Sequence, residues 1–168
     1  MAIDPALFKS GMRCLASGVS IVTSLGPDGP RGMTATAICS VSVSPPTLLC
    51  CVNRAASLHE TIRASGVLAV NLLVKADQAL ADRFAALEAA ESRFALGRWT
   101  RLRTGAPILE TALAAFDCRV VETVDSASHS IFIAEVVDAR SGAAAAPLLY
   151  FDGGYGDFVA TETLTSNS

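Results

Sequence analysis

A run of small and hydroxyl-bearing residues from Gly32 to Pro46 constrains the fold of this chain more than any other segment. Hydroxyl side chains recur at positions 34, 36, 40, 42 and 44, which favours the two-residue period of an extended strand. The run ends at Pro45-Pro46, which neither continues a ladder nor begins a helix. No large side chain interrupts the hydroxyl side, so a flat ligand can approach the backbone there. An ordinary half-buried strand with a wet face is the simpler alternative.

The segments on either side of this run are typical of short antiparallel strands. Val19–Ser24 leads into a Gly-Pro-Asp-Gly-Pro turn at 26–30, which predicts a hairpin back into the central run. Thr47–Val52 is a continuous apolar strand, and Val67–Leu73 is a second buried one. The remaining predicted strands are Leu113–Val124, Ser130–Ala139 and Leu148–Phe151.

Helices are predicted only at the margins of this pattern. Pro5–Ser17 has apolar residues at helical spacing, and Ser57 begins a second helix as its N-cap, with Glu60 three residues later. Ala76–Phe84 forms a third, and the Ala/Glu-rich piece at 85–92 either continues it or forms a loop. Short strands with few helices predict one mainly β domain over residues 1–168, a small antiparallel barrel with peripheral helices.

Composition excludes several classes of protein. The chain has 168 residues, which suits one domain, and its polar end from about 161 to 168 is expected to be a flexible tail. A net charge of −3 argues against a nucleic-acid surface. The longest apolar run, Val67–Val74, is too short to span a membrane, and no secretion signal is readable, so we expect a cytoplasmic protein. An apolar content of 51% predicts a buried oligomer interface.

The cysteines and histidines predict neither a disulfide framework nor a metal site. No C-x-x-C pair is present, so reduced and mostly buried thiols are expected. The five cysteines are Cys14, Cys39, Cys50, Cys51 and Cys118. Neighbouring Cys50 and Cys51 point to opposite faces of a strand, and only His59 and His129 remain as ligands for zinc. His59, on a helix without polar partners in sequence, is expected at the surface.

The order and spacing of several motifs resemble the flavin reductase family, the small reductase components of two-component flavin monooxygenases. The motifs are GVSIVTS at 18–24, GMTATAICSVSVSPPTLLCCVNRAAS at 32–57, VLAVNLL at 67–73, FDCRV at 116–120, SHSIFIAEV at 128–136 and PLLYFDGGY at 147–155. The resemblance covers about Phe8 to Tyr155. It implies the FMN-binding split-barrel fold, a Greek-key β-barrel, and a homodimer with the flavin site near the subunit interface. It also implies hydride transfer from NADH or NADPH to FMN or FAD, for use by a partner monooxygenase.

The same resemblance implies a set of cofactor-binding residues. These are Met33, Thr34, Ala35, Thr36, Ala37, Ser40, Val41, Asn53, Arg54, Ser57, Arg93 and Tyr155. Arg54 and Ser57 lie at a strand-to-helix turn, where a guanidinium and free N–H groups can hold a phosphate. Simple capping of the helix is the alternative for Ser57. Arg93 is a second phosphate candidate, with a solvated surface arginine as the alternative. Tyr155 follows two glycines and is expected to cover the nicotinamide pocket.

His129 is the catalytic residue that the resemblance implies, near the nicotinamide. Many members of the family have Gly-Asp-His at this turn, whereas this chain has Ala127-Ser128-His129. The carboxylate that would orient the imidazole is therefore missing. The hydroxyl of Ser128 can still orient the ring through a neutral hydrogen bond. An exposed turn histidine without a function is the alternative.

Hydride transfer between two cofactors explains which motifs this chain lacks. The cofactors supply the reacting atoms, so neither a Ser-His-Asp arrangement nor a Rossmann G-x-G-x-x-G motif is required. The leading hypothesis is an NAD(P)H-dependent flavin reductase. Two alternatives stay open: a reductase of the same fold that acts on a corrinoid or a catabolic intermediate, and a flavin-binding module without turnover.

Overall fold

Antiparallel strands dominate the structure, a computed structural model that describes residues 2–86, 90–156 and 158–159. The strands are β1 (Ser17–Gly18), β2 (Ser20–Gly26), β3 (Gly29–Ala35), β4 (Ile38–Val43), β5 (Pro46–Asn53), β6 (Val67–Leu72), β7 (Trp99–Arg101), β8 (Pro107–Leu109), β9 (Ala114–Ser126), β10 (His129–Ser141), β11 (Leu149–Phe151) and β12 (Gly154–Gly156). The helices are α1 (Pro5–Arg13), α2 (Ser57–Ser65), α3 (Gln78–Ala85) and α4 (Ala90–Phe94), and a short 3-10 helix (Lys75–Asp77) precedes α3.

A seven-stranded sheet in the order β3-β2-β6-β9-β10-β5-β4 forms the body of the protein. Its edge strands, β3 and β4, are consecutive in the chain and are joined by Thr36 and Ala37 alone. Six strand spacings of about 4.8 Å separate the edges of a flat sheet by roughly 29 Å, whereas three Cα steps reach at most about 11 Å. The sheet must therefore curve until its edges approach each other, as a split barrel requires. The mainly β, antiparallel class is confirmed.

The central run does not form one continuous strand, so that part of the prediction is wrong. Its first part belongs to β3 and pairs with β2, whereas its second part belongs to β4 and pairs with β5. The chain leaves one edge of the sheet at Ala35 and enters the other edge at Ile38. Between them the carbonyl of Ala37 accepts a hydrogen bond from the N–H of Cys51, at 3.1 Å. The run is divided because its two parts pair with different strands, β2 next to one edge of the sheet and β5 next to the other.

Two hydrophobic clusters pack on the two faces of the sheet. Ile21 and Val22 are successive residues of β2 and both are fully buried, but they belong to different clusters. The first cluster includes Phe84 of α3, and the second includes Ile62 of α2 together with Phe132 of β10. A strand buried on both faces needs a continuous apolar sequence, which is why the inner strands were predictable.

The helices depart from the sequence predictions at three points. Helix α1 ends at Arg13 instead of Ser17, because Ser17 and Gly18 form β1 and pair with β11. Ala56, not Ser57, occupies the N-cap of α2. His59 was expected at the surface but is only 5% exposed, since it faces β10.

In the piece at 85–92, residues 87–89 lie outside the described residues, as does the tail from 161. Within the described residues, no helix is long and apolar enough to cross a membrane.

Candidate functional site

A cavity of about 690 Å³ opens between β3, the start of α2 and the pair α3 and α4. Pockets that hold small organic ligands commonly fall in this range of volume. Three parts of the chain form its walls. They are residues 32–34 of β3, residues 53 and 55–58 at the start of α2, and residues 84–86 together with Arg93 from α3 and α4. Of the predicted cofactor-binding residues, the cavity brings together Met33, Thr34, Asn53, Ser57 and Arg93.

Gly32 allows α3 to pack directly on the backbone of β3. A Cβ atom at this position would lie 2.7 Å from Cε1 of Phe84. The Phe84 ring is held in turn by Phe94, at 5.1 Å between ring centroids, and by Trp99, at 5.5 Å. One wall of the cavity is therefore a rigid aromatic cluster against bare backbone, which the sequence motifs did not predict.

The hydroxyl of Thr34 is engaged inside the protein. Its Oγ1 donates to the carbonyl of Ala81 in α3, at 2.6 Å. This hydrogen bond ties β3 to α3 beneath the cavity. The hydroxyl proton is thus used in a structural hydrogen bond and is not free to bind a ligand, although Thr34 still lines the cavity.

Arg93 bridges two walls of the cavity. Its Nη1 donates to the carbonyl of Gly32 at 2.8 Å, and its Nη2 donates to the carbonyl of Ala86 at 2.6 Å. The alternative of a solvated surface arginine is therefore wrong. Its Nε is buried and has no hydrogen-bond partner among the described residues. Arg93 nevertheless lines the cavity, so its guanidinium brings a positive charge to the wall, which suits an anionic group of a ligand.

The start of α2 supplies a second set of donors to the cavity. Ser57 is the first helical residue, and the N-cap Ala56 makes no side-chain capping bond. The amide oxygen of Asn53 accepts from the N–H of Ala55 at 2.9 Å, which shapes the turn before the helix. The first N–H groups of a helix lack internal partners and carry a partial positive charge, so this end of the cavity suits an anion.

Arg54 follows β5 and contacts the turn between β9 and β10, beside the cavity. His129 is the first residue of β10 after this turn. The backbone N–H of Arg54 donates to the carbonyl of Ser128 at 2.9 Å, and its Nη1 lies 3.4 Å from the carbonyl oxygen of Ala127. His129 is exposed and stands opposite Asn53 in the β5–β10 ladder. Its Nδ1 lies 2.9 Å from the hydroxyl of Ser128, which is the orienting contact expected in place of a carboxylate.

The remaining predicted residues lie elsewhere. Thr36 and Ala37 line a second cavity of about 370 Å³ beside α1 and Tyr150. Ala35 is buried in the second hydrophobic cluster. Ser40 and Val41 are exposed on the edge strand β4. The crossing from one sheet edge to the other separates these residues from Met33 and Thr34.

Tyr155 does not line the main cavity. It lies on β12, where its ring contacts that of Tyr150 at a centroid distance of 5.8 Å. Burial and a hydrogen bond with the carboxylate of Asp82 on α3 raise the pKa of Tyr155 to about 12. Its hydroxyl thus ties β12 to α3, and its expected role at the nicotinamide stays a prediction.

The cysteines are free thiols, but fewer of them are buried than expected. Cys14 and Cys39 are exposed, Cys51 is half-buried, and Cys50 and Cys118 are buried. Burial raises the pKa of both buried thiols to about 12. Among the described residues, no group of histidine, cysteine and carboxylate side chains is placed to hold a metal ion.

Comparison with protein families assigns this architecture. The family model described as "Flavin reductase like domain" matches residues 12–158. The chain belongs to the flavin reductase family. The family predicted from the sequence motifs, and with it a flavin reductase enzyme, is confirmed.

Two related proteins are similar in sequence to this flavin reductase over most of its length. FMN reductase (NADH) RutF of Variovorax paradoxus is 43% identical over 158 residues, covering 94% of this chain and 88% of that protein. The protein of the same name from Agrobacterium fabrum is 45% identical over 148 residues, covering 88% and 85%.

Two solved structures extend the agreement to the fold. An NADH:FAD oxidoreductase from Streptomyces globisporus, in complex with NAD and FAD fragments, superposes with a TM-score of 0.87 at 29% identity over 97% of this chain and 99% of that one. BorF, the flavin reductase component of a bacterial two-component tryptophan halogenase, gives a TM-score of 0.85 at 32% identity, covering 92% and 98%.

Proposed function

We propose that this protein is an NADH-dependent FMN reductase whose flavin binds in the 690 Å³ cavity. The relatives named FMN reductase (NADH) RutF support the choice of NADH and FMN, and FAD is the second flavin to test. The observation that carries the proposal is the position of the Arg93 guanidinium, a cation that the carbonyls of Gly32 and Ala86 hold at the cavity wall.

The residues present fit a flavin phosphate and ring. Arg93 and the free N–H groups at the start of α2 would hold the phosphate, with Asn53 and Ser57 beside them. Gly32, Met33 and Thr34 of the edge strand β3 line the part of the cavity where the ring would lie. Thr36 and Ala37 form the link between the sheet edges and Ser40 and Val41 lie beyond it on β4, so these four residues are outside this cavity. Arg54 adds positive charge near the same helix end.

The chain contributes positioning and not covalent chemistry. When bound, the nicotinamide supplies a hydride and the flavin accepts it. The protein must bring the two rings together and exclude water from between them. His129, oriented by Ser128 and opposite Asn53, would contact the nicotinamide at the rim of the cavity.

A homodimer is part of this proposal. The apolar residues of α1 face outward, with Leu7 and Phe8 65% and 57% exposed. The edge strand β4 adds Val43, which is 91% exposed. Apolar surface of this kind is typical of an interface between subunits. Sedimentation at micromolar concentration should show a dimer, and a stable monomer would contradict it.

The reduced flavin is proposed to serve a separate flavin-dependent oxygenase in the cytoplasm. This proposal draws on BorF, which is one component of a two-component halogenase system.

The test is to mix the pure protein with FMN and NADH and follow the absorbance of the reduced nicotinamide. NADH should be oxidised at a rate that depends on both FMN and the protein. Parallel assays with NADPH, FAD and riboflavin define the preferences. Binding of FMN without oxidation of NADH would show a flavin-binding module without turnover, and oxidation only with a corrinoid acceptor would show the other same-fold reductase.

A further inference from the structure

A chain of two hydrogen bonds, buried at His59 and Ser130 and exposed at Asp125, lies behind the turn that carries His129. Nε2 of His59 on α2 lies 2.8 Å from the hydroxyl oxygen of Ser130 on β10. That hydroxyl donates to Oδ1 of Asp125, near the end of β9, at 2.6 Å. Ser130 is fully buried and His59 is almost so. Three elements of the fold are therefore linked through polar side chains that the assigned site does not use.

The donor and the acceptor of both hydrogen bonds are fixed. Ser130 has one hydroxyl proton and gives it to Asp125, so its oxygen must accept from His59. The proton of a neutral imidazole then resides on Nε2. Burial lowers the pKa of His59, and the nearby charges of Arg63 and Arg54 lower it further, which favours this neutral form. Asp125 is also paired with Arg63, at 3.3 Å on its exposed side.

The hydrogen bonds of His59, Ser130 and Asp125 close the hairpin directly behind His129. Asp125 and Ser130 stand opposite each other in the β9–β10 ladder, so the bond between their side chains spans the base of the turn. The tip of the turn is held from the other side, because the N–H of Arg54 donates to the carbonyl of Ser128. His129 lies between these two restraints, opposite Asn53 at the cavity.

Because His59 and Ser130 are buried, their polar groups must be hydrogen-bonded within the protein. The His59 ring packs 5.5 Å from the ring of Phe132, a member of the second hydrophobic cluster. A buried hydroxyl and imidazole stabilise the protein only when their hydrogen bonds are made in one geometry, since an unpaired polar group there is unfavourable. The polar chain therefore holds α2 and the hairpin in one relative orientation, which apolar packing would leave less defined.

We propose that Ser130, together with His59 and Asp125, positions His129 for its contact with the nicotinamide. The inference rests on the role proposed for His129. Ser130 touches neither cofactor in this scheme, so it is a positioning residue that acts through the hairpin.

The experiment compares Ser130→Ala, His129→Ala and the double variant in steady-state assays with NADH and FMN. Ser130→Ala should lower kcat/KM for NADH by roughly 3- to 10-fold, as expected for loss of a hydrogen bond of ordinary strength, while the Kd for FMN stays unchanged. In the His129→Ala background, the Ser130 substitution should have no further effect. His59→Gln, which retains a donor near the position of Nε2, should recover most of the activity that His59→Leu loses.

The outcomes separate this inference from the proposed function. If His129→Ala is impaired but Ser130→Ala keeps the wild-type kcat/KM, the positioning role is wrong and the function stands. If the two losses multiply in the double variant, Ser130 acts independently of His129 and the inference is overturned. A His129→Ala variant equal to the wild type overturns both the role of His129 at the nicotinamide and this inference, while the reductase function stands. Should Ser130→Ala fail to fold, Asp125→Ala at the exposed end of the chain carries the same predictions, because its side chain is 47% exposed.

Discussion

The guanidinium of Arg93 donates to the backbone carbonyl of Gly32 across 2.8 Å, although 61 positions separate the two residues in sequence. A second bond joins the same guanidinium to Ala86 at the end of α3. One side chain thus holds β3, α3 and α4 around the cavity and places a positive charge at its wall. This geometry combines the structural and the binding roles in one residue.

Replacement of Arg93 by alanine should weaken FMN binding by about 1.5–3 kcal/mol, the range for a hydrogen bond with a charged partner. Riboflavin, which has no phosphate, should lose less affinity than FMN if the guanidinium holds that group. Fluorescence titration of both flavins measures the difference. Arg98→Ala is the matched control, because this arginine is 81% exposed and pairs with Glu110 away from the cavity. Equal losses for FMN and riboflavin would remove Arg93 from the phosphate site.

A methyl group at Gly32 should distort the cavity wall. In Gly32→Ala the new Cβ would meet the Phe84 ring at 2.7 Å, so the ring must shift. Overpacking of this kind lowers the free energy of unfolding by about 1–3 kcal/mol, and FMN affinity should fall with it. Gly11→Ala is the control, since no atom lies within 4 Å of a Cβ there and alanine favours the α1 helix. Urea denaturation of both variants tests the prediction, which fails if Gly32→Ala is as stable as the wild type.

Much of the fold followed from local sequence, because period and turn chemistry are local. The inner strands and the β9–β10 hairpin were predicted from apolar runs and turn residues. The division of the central run was not, since β3 and β4 themselves lie on opposite edges of the sheet and pair with different strands, β2 and β5. Likewise His59 meets Ser130 over 71 positions, and nothing near His59 in sequence announces that partner.

The turn at Ala127 stores backbone strain that glycine would relieve. Ala127 has a φ of 48°, in the left-handed region that disfavours residues with a Cβ. Ala127→Gly should therefore raise the free energy of unfolding by about 0.5–1 kcal/mol. The same substitution at Ala64, exposed within α2, should lower it by about 1 kcal/mol. Opposite signs in urea titrations are the expected result, and destabilisation by both substitutions would contradict the strain.

The buried His59 should make stability depend on pH. Because its folded-state pKa lies below its ordinary value of 6.5, the unfolded chain binds the proton more tightly. The stability that neutral His59 contributes is complete above that pH and is lost as the pH falls below it. Thermal unfolding from about pH 7.5 to 5 should show a falling Tm for the wild type and a smaller decrease for His59→Gln. Parallel curves for the two proteins would show that His59 does not titrate with unfolding.

The most direct test of the central claim, that FMN binds and is reduced in the cavity between β3, α2 and α4, is to fill that cavity. Ala55 lines it and is exposed, so Ala55→Trp places a large side chain there without disturbing the core. Ala64→Trp, on the exposed face of α2 and away from the cavity, is the control. FMN titration and FMN-dependent oxidation of NADH are measured on both variants. We expect Ala55→Trp to lose both FMN binding and activity with an unchanged Tm, while Ala64→Trp keeps both. Wild-type FMN affinity in Ala55→Trp would contradict the account.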